Sequence, residues 1–126
     1  MKCSRLHIHV EYKTDKLTCM LCERFDVIAL SRQKVPYINH DNSKTNKCEN
    51  GAYVVNITSH NSNVTLVASG TEVELALKVQ ENLKQNNIDS KVVSMPCMEL
   101  FDKQSKDYQK DILEENSLIV TLEAGS

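Results

Sequence analysis

Arg32 follows Ser31 just past the apolar run Phe25–Leu30, FDVIAL. If that run is a buried strand, Arg32 marks its carboxyl end. That is where α/β sheets place ligands, and a guanidinium fork suits a phosphate. From spacing alone, a solvated surface arginine is the better reading, since such arginines are common. Cys19-x-x-Cys22, with His7-x-His9 upstream, has the residue types of a zinc site. A closed zinc site needs four ligands on a preformed turn. No Gly or Pro shapes a knuckle here, so free thiols are the better reading. Ser69-Gly70-Thr71 sits between an apolar run and a helical one, a place where backbone N–H groups can hold an anion. A lone Gly falls short of a dinucleotide fingerprint, and Glu72 and Glu74 would repel phosphate. A tight turn with a helix cap is favoured there. Phe101-Asp102-Lys103-Gln104 reads as a loop pinned by Phe101, with Asp102 and Lys103 solvated. His7, His9, His40 and His60 have no Ser, Cys or Asp at triad spacing. No catalytic residue and no metal ligand is assigned.

Composition narrows the classes. The chain has 126 residues, enough for one domain, with 15 basic and 17 acidic side chains and a net charge of −2. That balance provides no basic field for nucleic acid. No apolar run approaches the roughly 18 residues of a membrane span, and the N-terminus lacks a signal-peptide core. A soluble, cytoplasmic chain is expected, without nucleic-acid or membrane partners. The five cysteines, an odd number, fit a reducing compartment better than a disulfide framework. The sequons at Asn56 and Asn63 are then chance matches.

The elements that must position these groups are clearest in residues 64–104. Val64–Ala68 is nearly all apolar, a strand buried on both faces. Thr71 and Glu74 have capping-box spacing. Val73, Ala76, Leu77, Gln80 and Leu83 make one stripe of a helix of about 15 residues. Asn86-Asn87 suits a left-handed helix end. Lys91–Met95 is expected to be a strand that Pro96 stops. Cys97–Phe101 reads as one helical turn, Ser105–Leu113 as a short helix with Tyr108, Ile112 and Leu113 inward, and Leu118–Leu122 as a last strand. Ala52–Thr58 is a further strand, at an edge. The β-α-β-α-β order predicts an α/β fold with three layers, a mostly parallel sheet and crossover helices. It also predicts an open sheet edge. Pro36 and the polar stretch around it make residues 34–50 a linker or surface loop. Residues 1–24 show no sustained period beyond Leu17, Met20 and Leu21.

Several pieces together resemble the transketolase family. They are Leu30-Ser31-Arg32-Gln33, Gly51-Ala52-Tyr53-Val54, Ala68-Ser69-Gly70-Thr71-Glu72-Val73, Val92-Val93-Ser94-Met95-Pro96, Phe101-Asp102-Lys103-Gln104, Tyr108 and Glu123-Ala124-Gly125. They occur in the family's order, across Phe25–Ser126. The resemblance implies a fragment. Residues 1–33 would end a pyrimidine-binding domain, with 1–24 poorly matched. Residues 34–50 would be the linker, and 51–126 an incomplete C-terminal domain. It further implies that Arg32 contacts the phosphate of a sugar-phosphate substrate in the intact enzyme. That enzyme transfers a two-carbon ketol unit in the pentose phosphate pathway, using thiamine diphosphate and a divalent metal (Mg or Ca), as a homodimer.

This chain lacks the family's Gly-Asp-Gly metal and diphosphate segment, its activating Glu and its active-site histidines. It is therefore expected to bind no cofactor and to be inactive alone, a partner to the remaining transketolase polypeptide or a decayed piece of it. Two alternatives stand beside this: the C-terminal subunit of a split transketolase, and a small free-standing α/β module binding an anion at Ser69–Thr71.

Overall fold

A computed structural model describes residues 47–59 and 61–124. Its elements are a 3-10 turn (Lys47–Asn50), β1 (Tyr53–Ile57), β2 (Val64–Ala68), α1 (Glu72–Gln85), β3 (Ser90–Ser94), α2 (Met98–Phe101), α3 (Lys106–Leu113) and β4 (Leu118–Leu122). Arg32, the 34–46 part of the linker, Cys3, Cys19, Cys22 and all four histidines lie outside the described residues.

β2 and β3 are the centre because, Lys91 apart, their sequences are apolar or small on both faces, and all of β3 is buried. They pair in parallel, Leu66 opposite Val92 and Val67 opposite Val93. β4 pairs in parallel with the other side of β2. The order is β1-β3-β2-β4. β1 occupies an edge, as expected, but runs antiparallel to β3 with an irregularity between Val54 and Asn56. β3 begins one residue earlier than its apolar pattern suggests. Ser90 is drawn into the ladder opposite Val64, and its N–H donates to Thr58 Oγ1 at 2.8 Å.

Alternating side chains build two cores. On one face, Leu66, Ala68 and Val92 pack against Val73 and Ala76 of α1. On the other, Val67 and Val93 meet Ala52, Phe101 and Ile112, with Tyr108 and Leu113 partly buried beside them. The result is the expected three-layer, mostly parallel α/β arrangement. No helix among the described residues is long and apolar enough to cross a membrane.

The polar member of the α1 stripe is a bridge. Gln80 is buried, donates to Ser90 O at 2.9 Å and accepts from Asn56 Nδ2 at 3.0 Å. It ties α1 to β3 and β1 at once. The helix ends with Asn87 at φ 59. The Asn87 N–H donates to Lys84 O, and the Ile88 N–H to Leu83 O, both at 3.0 Å. These are the two bonds of a Schellman end, with Asn taking the left-handed position.

The helix start departs from its sequence signature. Thr71 itself has helical angles (φ −65, ψ −26) and caps nothing with its side chain. Its hydroxyl instead donates to Glu72 Oε1 at 2.8 Å. The first amides are satisfied by backbone, since Glu72, Val73 and Glu74 N–H donate to the carbonyls of Ser69, Gly70 and Thr71 at 3.3–3.4 Å. Gly70 at φ 59 makes this tight entry accessible. Ser105, by contrast, is a side-chain cap, its hydroxyl accepting from the Tyr108 N–H at 3.2 Å. We expect Ser105→Ala to cost about 1 kcal/mol in urea unfolding, as N-cap losses do, and Thr71→Ala only a few tenths. Equal losses for the two would contradict this assignment of caps.

Candidate functional site at the carboxyl end of the sheet

The connections fix where a ligand crevice belongs. From β2 the chain crosses through α1 to β3 on one side, then returns through α2 and α3 to β4 on the other side of β2. The strand order therefore reverses at β2 and β4, whose carboxyl ends emerge together with Ala68 opposite Leu122. Such a reversal is the usual binding crevice of an open α/β sheet. Here it is bordered by Ser69-Gly70-Thr71 and by Glu123.

The groups at this crevice do not fit an anion. Glu72 and Glu74 lie in the first turn of α1, and Glu123 follows β4 directly. The amides of Glu72, Val73 and Glu74 already donate to the carbonyls of Ser69, Gly70 and Thr71. Among the described residues there is no group of three or more His, Cys, Asp or Glu side chains able to hold a metal. No chemical step is assigned to the residues described.

The neighbouring 101–104 segment is structural. Phe101 is buried and meets Tyr108 edge-on, with ring centroids 6.4 Å apart. Tyr108 Oη donates to Ala52 O at 2.7 Å. Gln104 Nε2 donates to Leu100 O, and Gln109 Nε2 to Phe101 O, holding the loop closed. Asp102 and Lys103 are exposed, as expected. Cys97 is buried, with its thiol 3.5 Å from Glu99 Oε2.

A polar cleft of 770 Å³ lies at the opposite end of the sheet, among Asn61, Asn63, Lys110, Asp111, Glu115 and Asn116. Its wall is a network that joins α3 to the sheet. Lys91, 3% exposed, donates to Glu114 Oε1 at 2.9 Å and to the carbonyls of Asp111 and Ile112 at 2.8 and 3.3 Å. All three ammonium protons are thereby used, and the end of α3 gains a cation at its negative pole. Glu114 Oε2 accepts from the Ser62 N–H at 3.1 Å. Ser117 Oγ donates towards Leu113 O and Glu114 O and sits 2.7 Å from Thr65 Oγ1. Among the buried side-chain polar atoms of the described residues, Ser90 Oγ has no hydrogen-bond partner. Sequence reasoning treated Lys91 as the start of an apolar strand and missed this pair. The available signal was a lysine inside such a strand, which demands a buried acceptor.

The sheet order, the antiparallel edge strand and the one long crossover helix define a three-layer α/β domain. Residues 51–126 match the family described as the transketolase-like TK C-terminal domain. A Rhodobacter capsulatus transketolase is 42% identical over 98 residues, covering 78% of this chain and 15% of the relative. A transketolase of Saccharomyces cerevisiae is 36% identical over 97 residues, 77% of this chain and 14% of that one. Among solved structures, a Pichia stipitis transketolase variant in complex with fructose 6-phosphate superposes with a TM-score of 0.69 at 32% identity, over 79% of this chain and 14% of that one. Campylobacter jejuni transketolase gives 0.61 at 37%, over 71% of this chain and 13% of that one. The chain belongs to the transketolase family, through this C-terminal domain. It spans about 15% of the length of the curated relatives it matches.

Proposed function

We infer that this chain is a fragment of a thiamine-diphosphate-dependent transketolase and turns over no substrate by itself. Its role would be to complete the C-terminal domain of an enzyme that moves a two-carbon ketol unit between sugar phosphates in the pentose phosphate pathway. The observation that carries this reading is the match over residues 51–126, in a chain covering about 15% of the Rhodobacter relative. The cofactor, its metal and the carbanion chemistry would belong to the remaining polypeptide, and this chain would contribute packing. A cytoplasmic location and a homodimeric assembly belong to the same proposal. Glu72 and Glu74 in the first turn of α1, and amides of 72–74 already bonded to the carbonyls of 69–71, weigh against the anion-binding module.

Arg32 is the residue here proposed to meet substrate, through the substrate's phosphate. The test is reconstitution of this chain with the part of the Rhodobacter relative that precedes its match to this chain, so that Arg32 has no second copy in the mixture. The mixture is expected to convert xylulose 5-phosphate while the chain alone does not; turnover by the purified chain alone would overturn the reading. In the mixture, Arg32→Ala should raise KM for the phosphorylated ketose about 10–100-fold, the loss of a charged hydrogen bond, and leave a non-phosphorylated ketose unaffected. An equal effect on both substrates would remove Arg32 from the phosphate site.

A further inference from the structure

Asn50-Gly51 is the one place in this chain where an asparagine is followed by glycine. Such a pair carries its own chemistry. The Gly51 nitrogen can attack the Asn50 side-chain carbonyl carbon, Cγ, and close a five-membered imide. The new N–Cγ bond forms as the carboxamide C–N bond breaks, and ammonia leaves with the proton that the Gly51 nitrogen gave up. Water then adds to one of the two imide carbonyls. Ring opening leaves an aspartate, or an isoaspartate whose main chain runs through the side chain. Water is the co-reactant, and no electrons are exchanged. Glycine favours the step because no side chain shields its nitrogen or restricts its backbone.

The fold holds the two reacting groups out of position. Asn50 closes the 3-10 turn Lys47–Asn50, whose backbone keeps ψ at roughly −20 to −30°. Ring closure needs a ψ far outside that range, with the next nitrogen swung towards Cβ. That nitrogen is tied down. The Gly51 N–H donates to Cys48 O at 3.0 Å, and the Gly51 carbonyl accepts the Cys97 N–H at 3.1 Å. Gly51 is buried, and backbone atoms of Cys97 and Phe101 close the space beside its α-carbon. Turning the 50–51 peptide breaks both hydrogen bonds and drives Gly51 against α2. Asn50 itself is only partly buried, so geometry protects it and dryness does not.

We propose that Asn50 is a latent modification site, closed while the 3-10 turn is docked and converted to isoaspartate when that joint opens. The conversion prevents the joint from closing as before. Isoaspartate puts an extra carbon into the main chain ahead of Gly51. Gly51 then cannot recover both hydrogen bonds and its tight seat at once. Opening of the joint is thereby recorded covalently, at the point where residues 34–50 enter the domain. The proposal does not depend on the fragment reading.

The test incubates the full chain in mildly alkaline buffer, with and without unfolding concentrations of guanidinium. Isoaspartate at each asparagine is read by peptide mapping and by methyl transfer from an isoaspartyl methyltransferase. In guanidinium, Asn50 is expected to convert faster than Asn42, Asn61 and Asn116, each followed by serine. In native buffer, conversion at Asn50 should be slowed at least ~tenfold, because the attacking conformer must first lose two hydrogen bonds. Hydrogen exchange at the Gly51 amide supplies a second measurement. Sub-denaturing guanidinium that speeds this exchange should speed conversion at Asn50 in the same proportion. Asn50→Gln, whose ring would need six atoms, should remove the signal at residue 50. Equal rates in the two buffers overturn the proposal, whether the joint is open or the chain is unstructured. So does conversion at Asn50 that stays constant while exchange at Gly51 changes.

Discussion

Replacing Gly51 by alanine is expected to remove a large part of the chain's stability. Gly51 has φ +82, a left-handed conformation that costs an L side chain roughly 1–2 kcal/mol. The space is closed as well. A Cβ there would overlap the Cys97 carbonyl oxygen and the Phe101 amide nitrogen, and would lie 2.9 Å from the Leu100 carbonyl carbon. All three are backbone atoms, and Cys97 O already accepts the Phe101 N–H at 3.2 Å. No side-chain rotation relieves the clash. Overpacking of this kind adds about 1–3 kcal/mol, for a total of roughly 2–5 against the 5–15 available to a typical domain. Gly51 also links two elements. Its N–H donates to Cys48 O at 3.0 Å, and its carbonyl accepts the Cys97 N–H at 3.1 Å. Pushing it away would detach the 3-10 turn from α2 and loosen Phe101 in the core. Urea unfolding of Gly51→Ala should show a midpoint far below that of the unsubstituted chain, or no cooperative transition. A shift under about 0.5 kcal/mol, the usual range for a neutral surface change, would mean that the close approach is wrong.

The second large effect is expected at Lys91. Lys91→Met keeps the apolar stem and deletes the charge. Glu114 Oε1 and the carbonyls of Asp111 and Ile112 then lose their donor together. Breaking one partner of a buried pair costs about 3–5 kcal/mol. The Glu114 side chain is 20% exposed, so water recovers part of the loss and the lower end, about 3 kcal/mol, is expected. Glu114 also sits at φ 53, which only a few per cent of non-glycine residues adopt. Its two carboxylate contacts, to Lys91 and the Ser62 amide, hold it there. Lys91→Met and Glu114→Gln should therefore couple. The double variant should lose less than the sum of the singles by at least about 0.5 kcal/mol, measured by urea unfolding. Additive losses would show that the two side chains act independently.

Gln80 and Thr71 show how far pattern reading carries. Gln80 stands out in the sequence as the one polar residue in an apolar stripe. Only the fold reveals that Ser90 and Asn56, on two different strands, wait for its amide. Thr71 and Glu74 have the spacing of a capping box, yet Gly70 tightens the entry so that carbonyls of 69–71 take the amides first. Local sequence describes which groups are able to bond; competition among nearby partners decides which ones do.

The same division holds for the chain as a whole. Strands 64–68 and 118–122, the intervening helix with its Asn87 end, and the inward Ile112 and Phe101 were legible by themselves. Apolar period, β-branching and turn chemistry act over a few residues, and so did the family pieces. The strand order, the reversed direction of β1, the acid-lined crevice, the Lys91–Glu114 pair and the closed space at Gly51 were decided by tertiary structure. Each depends on groups brought together from distant parts of the chain. Such contacts are set by packing and hydrogen-bond satisfaction across the whole sheet, and no stretch of sequence carries them locally.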